Sequence, residues 1–176
     1  MNTHYKFTKS ASFLKGKFLL MLLFLAGVAN AQLSGSYTID VASSTSGTNF
    51  NSWSDFASAV TSSGVSAAVT VTVKSDVTTS TRSVFGAISG SSSTNTITID
   101  GGSKVLSYGG SYEAISFTGA DYVTIKNATI RNTTTGAYAG LMRFSGASDY
   151  NKIDNCILEF SALVSATSAT YYVAFS

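Results

Sequence analysis

Three stretches of this chain alternate apolar and polar residues with a period of two: Val69-Thr70-Val71-Thr72-Val73, Asn95-Thr96-Ile97-Thr98-Ile99 and Asp121-Tyr122-Val123-Thr124-Ile125. Such alternation predicts strands with one buried and one polar face. The stretches also repeat. Val73, Ile99 and Ile125 follow one another at an offset of 26, and Ile125, Asn127 and Ile130 recur at an offset of 28 as Ile153, Asn155 and Leu158. A second strand runs ahead of the last copies, with Ile115-Ser116-Phe117-Thr118-Gly119-Ala120 matching Met142-Arg143-Phe144-Ser145-Gly146-Ala147 at an offset of 27. The unit is strand, Gly-Ala turn, strand, single Asn, strand and loop. Three short strands cannot bury their inward residues alone, so copies must stack, with parallel strands paired between coils about 4.8 Å apart. The expected fold is an all-β parallel solenoid over residues 69–176.

The repeat assigns positions to individual side chains. Asn127 and Asn155 fall where the chain bends between two strands, and Asn tolerates the left-handed conformation better than other non-glycine residues. Their amides are expected to stack as a ladder along the axis, with Gly101 in the equivalent place one coil earlier. Asp100, Lys126 and Asp154 should form an outward column of alternating charge, and Arg131 and Glu159 a second cross-coil pair. Ahead of the coils, Trp53, Phe56, Ala57 and Val60 share one face of a helix that has Ser52 as its N-cap and Gly64 as its terminator. This helix closes the open end of the first coil. Ligand binding by Trp53 is the alternative use of the same residues.

The N-terminal segment changes the arithmetic. A basic start, an apolar run from Phe18 to Val28 and the small-x-small site Ala29-Asn30-Ala31 read as a cleavable signal peptide, which predicts a secreted or cell-surface protein with no membrane span after cleavage. Removing it leaves a chain with seven Lys and Arg against nine Asp and Glu and no histidine, so the nominal +2 charge says nothing about nucleic acid and none is expected as a partner. Any mechanism that needs an imidazole is excluded. Ser and Thr make up about a third of that chain, mixed with β-branched apolar residues, as short strands with polar outer faces require. Cys156 is the one cysteine and has no partner in the chain; its apolar neighbours suggest a buried, inert thiol. The expected organisation is a signal peptide at 1–31, an N-terminal strand and capping helix at 32–68, and coils from 69 that stop mid-coil at 176, where Tyr172 to Ser176 repeats the strand around Phe144 and Ser145 at an offset of 31.

The Trp53-x-x-Phe56-Ala57-x-x-Val60 face, the run Val69 to Val73, Ile88-Ser89-Gly90 before Asn95 to Gly101, and Asp121 to Asn127 resemble the opening coils of pectin-lyase-like right-handed parallel β-helix proteins. Among these, the large secreted surface proteins of Bacteroidetes are the most similar in pattern. The resemblance implies type IX secretion cargo and an N-terminal fragment of a longer chain. It carries fold more than activity.

In that superfamily, lyases hold calcium with clustered carboxylates beside a basic residue, and hydrolases use groups of aspartates. Asp121 and Asp149, in equivalent places one coil apart, are the only comparable feature and the only metal candidates, with Arg143 or Lys152 as a base. Two aspartates at a turn also commonly accept nearby backbone N–H groups. No catalytic residue is assigned, and calcium is the only candidate cofactor. The expected function is a structural or adhesive surface protein that binds polysaccharide or cell-surface glycan, with Tyr122 and Tyr150 as stacking residues. An alternative is the first part of a polysaccharide lyase or glycoside hydrolase whose site lies in later coils. A minor alternative is ice binding through Thr70-x-Thr72 stacked on Thr96-x-Thr98. Self-association through the open C-terminal end is also expected.

Overall fold

The computed structural model describes Met1 and residues 31–134, 139–161 and 171–176. The chain divides into two units, Met1–Ala31 and Gln32–Ser176. Residues 2–30, which carry the expected signal segment, lie outside the described residues.

The second unit is a parallel β-solenoid of about five turns. An opening turn contains β1 (Leu33–Ile39), β2 (Asn49–Phe50) and α1 (Trp53–Ser63). Four three-strand coils follow. They are β3 (Val65–Val73), β4 (Val77–Thr79) and β5 (Ser83–Gly86); β6 (Ile97–Asp100), β7 (Val105–Tyr108) and β8 (Glu113–Thr118); β9 (Val123–Lys126), β10 (Thr129–Asn132) and β11 (Gly140–Ser145); and β12 (Lys152–Asp154), β13 (Ile157–Phe160) and β14 (Tyr171–Phe175). Sheet A is ordered β12-β9-β6-β3-β1-β2, sheet B β13-β10-β7-β4 and sheet C β14-β11-β8-β5, and all their pairings are parallel.

Inward columns make one continuous core. Val71, Ile99, Ile125 and Ile153 stack in sheet A, and Leu106, Ile130 and Leu158 stack in sheet B. Sheet C contributes Phe85, Phe117, Phe144 and Phe175, whose rings stack with centroids 5.4, 4.5 and 5.4 Å apart. The offset of 31 between Phe144 and Phe175 is the one the sequence predicts. The aromatic column continues past β5 through Phe56 of α1 to Phe50 and Tyr37.

Two expected alignments are corrected. Val73 pairs with Ile39, and Val71 is the partner of Ile99, so the first offset in sheet A is 28 and not 26. The slip arises because β3 is long, and an extended alternating run fits equally well two positions along. With it the paired threonine stacking fails: Thr70 lies beside Thr98 and Thr72 beside Asp100, which leaves one hydroxyl column of Ser36, Thr70, Thr98 and Thr124 ending at Lys152. Ile157, apolar and next to the inward Leu158, faces outward. It shares the outward column of Val105 and Thr129 and is 60% exposed.

Helix α1 forms where the apolar spacing predicts. Ser52 accepts the Asp55 N–H at 3.1 Å, and Gly64, at φ 71°, donates to Val60 O. Trp53, Phe56, Ala57 and Val60 are all buried, and the helix packs chiefly on β5. It lies at the end of sheet C where β5 would otherwise leave an open edge.

Candidate functional site

Two corners of the solenoid gather its polar and aromatic side chains. At the corner between sheets A and B, Asn127 and Asn155 adopt left-handed backbone, with φ of 53° and 49°. Asn155 Nδ2 donates to Asn127 Oδ1 at 2.8 Å, and Asn127 Nδ2 donates to Asp100 Oδ1 at 3.0 Å. The ladder thus ends on a carboxylate. Bonds from the Asn127 amide and the Gly102 backbone N–H, helped by Lys126 Nζ at 3.2 Å from the other oxygen, hold the Asp100 carboxyl below its ordinary value. Gly101 occupies the Asn127 position in its coil for reasons of space. A Cβ there would stand 2.5 Å from that of Ala128, and the positive φ falls on Gly102 and Ser103 instead. A shallow groove of about 250 Å³ beside the ladder is lined by Ser103, Asn127, Ala128, Thr129, Asn155 and Ile157.

At the corner between sheets C and A, the turns are Gly119–Tyr122 and Gly146–Asn151. Tyr122 and Tyr150 sit at φ 59° and 56°, a conformation that bulky residues rarely take. Their rings stack 4.8 Å apart at 6°. Each ring covers one face of the other, so the pair is not a two-ring platform, but Tyr150 remains 75% exposed. The turn beneath it is fixed: Asn151 Oδ1 accepts Val123 N–H at 2.9 Å and its Nδ2 donates to Ala120 O at 2.7 Å. Asp121 Oδ1 accepts the Asp149 N–H at 2.6 Å. Asp121 and Asp149 are therefore joined carboxylate to backbone, coil to coil.

The remaining charges are mostly occupied. Arg131 Nε meets Glu159 Oε1 at 2.7 Å, Lys152 meets Asp154 at 3.0 Å within its own strand, and Arg143 reaches Ser176 Oγ. Asp154 thus follows Lys126 in register yet forms its ion pair with Lys152. Glu113 is 1% exposed and paired with Arg82 at 2.7 Å, while Arg82 also lies 5.9 Å from the centroid of the Tyr112 ring. Burial raises the Tyr108 hydroxyl above its ordinary value, and that hydroxyl donates to Ser111 O at 2.6 Å. Asp40, Asp55 and Asp76 accept from Ala42 N–H, Thr45 Oγ1 and Val105 N–H. Of nine acidic side chains, eight hold a hydrogen bond or ion pair in this way. Asp149 is the ninth: its carboxylate is exposed and without a partner among the described residues.

Trp53, 2% exposed, presents no face to a ligand, and Cys156 is half-buried, its thiol 3.5 Å from Ile125 O. Sequence reasoning missed the full phenylalanine column, because the sheet C offsets of 32, 27 and 31 hide it from a fixed period. It also missed Asn151, whose flanks resemble any polar turn. Compared with known proteins, the chain matches no family model, no curated protein and no solved structure.

Proposed function

We propose that the chain is an exported, surface-exposed β-solenoid of the pectin-lyase-like kind, with a structural and adhesive role and glycan as its ligand. The supporting observation is where its chemistry is placed. The carboxylates of Asp76, Asp100, Glu113, Asp121 and Glu159 bond from one coil to the next, while the outward columns carry hydroxyls such as Ser36, Thr70, Thr98 and Thr124. A surface of that kind offers many weak hydrogen bonds over a rigid length and suits adhesion better than turnover. The N-terminal segment supports export, with cleavage after Ala31. The test is to express the entire chain with secretion and sequence the N-terminus of extracellular material, which should begin at Gln32, then screen that material on a glycan array. Retention in the cell, or an array without binders, contradicts the reading.

Assembly belongs to the same proposal. β12, β13 and β14 each occupy the last place in their sheets, and Phe175, 80% exposed, ends the aromatic column beside them. Strand edges without a partner among the described residues, beside an apolar ring, favour contact with a second copy. Sedimentation velocity should show concentration-dependent association that Phe175→Glu abolishes.

A further inference from the structure

The outer face of sheet A carries hydroxyls that the fold does not use. Ser36, Thr70, Thr98 and Thr124 are successive register partners on β1, β3, β6 and β9, one per coil and about 4.8 Å apart. None of these four hydroxyls has a hydrogen-bond partner among the described residues, whereas those of Thr38, Thr61 and Thr79 are bonded within the chain. Threonine is stiff at χ1, so its hydroxyl and methyl are held in place before a ligand arrives, and little entropy is lost on binding. The column runs along the side of the solenoid and not across its end. A coil stacked above or below lengthens it and leaves it open.

Charge and continuity narrow the ligand. The strands of sheet A carry four charged side chains, and these pair off, Asp100 with Lys126 at 3.2 Å and Lys152 with Asp154 at 3.0 Å. The face is neutral and its strands hold no uncompensated cation for an anionic chain. The second outward column passes from Thr38 and Thr72 to Asp100 and Lys126, so hydroxyls continue in one row only. A two-dimensional lattice such as ice needs more than one row; a single linear chain does not. An extended polysaccharide presents hydroxyls on every sugar at a repeat close to one coil, and its C–H groups suit the threonine methyls. We infer that sheet A binds an extended neutral polysaccharide along the solenoid axis, with the hydroxyls of Ser36, Thr70, Thr98 and Thr124 each meeting one sugar. This rests on the glycan-binding reading above and gives it a face, an orientation and a ligand class.

Isothermal titration of the purified protein with cellobiose, cellotetraose and cellohexaose tests the orientation. Four hydroxyls in line predict that affinity rises about tenfold from two sugars to four and little from four to six. Thr70→Val, Thr98→Val and Thr124→Val combined keep the branched shape and strand preference but remove three hydroxyls. That protein should keep its melting temperature and bind cellotetraose about tenfold more weakly. Thr78→Val with Ser107→Val, on the outer face of sheet B, should bind as the wild type does. In the wild type, the amide chemical shifts that move on adding cellotetraose should cluster on β1, β3, β6 and β9, a measurement that needs no variant. Equal affinity for two and four sugars, undiminished binding by the triple valine protein, shifts confined to sheets B and C, or tighter binding of tetragalacturonate would each overturn the inference and leave glycan binding elsewhere on the molecule. Thermal hysteresis without glycan binding would assign the face to ice. If no glycan binds, on the array or in titration, the glycan-binding reading itself falls.

Discussion

Asn127 shows how one residue can serve backbone and side chain together. Its left-handed φ makes the bend, its amide donates up the ladder to Asp100 and its side-chain carbonyl accepts from Asn155. Asn127→Ala keeps neither the conformational tolerance nor the two bonds, and should cost about 2 to 3 kcal/mol in urea unfolding. Because the Asp100 pKa is lowered in the folded state, its contribution is full above the ordinary carboxylate value and is lost as pH falls through the depressed one. Melting temperature should therefore drop on acidification in this range, and less steeply in Asp100→Asn. Ser83 is the opposite case, an inward hydroxyl in the column of Ile115 and Met142 with no hydrogen-bond partner among the described residues. Ser83→Ala should raise stability by about 1 kcal/mol. The bend at Asn127 and Asn155 is legible in the sequence because a recurring Asn between strands has few other uses. The ladder's end at Asp100 is not, since Asp100 reads as one more outward charge, and nothing around Ser83 marks it as inward.

At the scale of elements, strands are legible where alternation is clean and their register only where turn lengths repeat. A shared offset of 28 places Arg131 and Glu159 together, and the structure joins them. Val73 is misplaced by its pattern because β3 extends beyond β6 at both ends, so alternation alone could not choose between Val71 and Val73 as the partner of Ile99. The charged column behaves accordingly. Asp154→Lys removes the partner of Lys152 and brings cations together, lowering stability by up to about 1 kcal/mol, less in high salt. Adding Lys126→Asp should not restore it, because that change removes the partner of Asp100 and sets a second carboxylate beside it. The helix is worth more than any exposed pair. Trp53→Ala opens a cavity under α1 and should cost about 3 to 5 kcal/mol, read as an earlier unfolding midpoint with protection from hydrogen exchange lost first in β5.

As a whole the solenoid is a stack in which each coil touches only its neighbours, and its cross-coil ion pairs and the asparagine ladder join those neighbours. This architecture is legible because a unit of three short strands, repeated at nearly constant length, admits few other packings. The Tyr150 turn is half legible: the matching tyrosines stand out, whereas their stacking geometry and the bond from the Asp149 N–H to Asp121 need coordinates, because both depend on which turn bonds form across coils. Everything rests on the coil-to-coil register, and paired cysteines read it directly. In a Cys156→Ser background, Thr70→Cys with Thr98→Cys, and Thr98→Cys with Thr124→Cys, place the cysteines on adjacent partners with Cα atoms about 4.8 Å apart, within disulfide reach. Thr72→Cys with Thr98→Cys places them about 8 Å apart, beyond it. The observed register predicts that mild oxidation gives quantitative intrachain disulfides in the first two proteins and none in the third; a disulfide in the third and none in the first would contradict it.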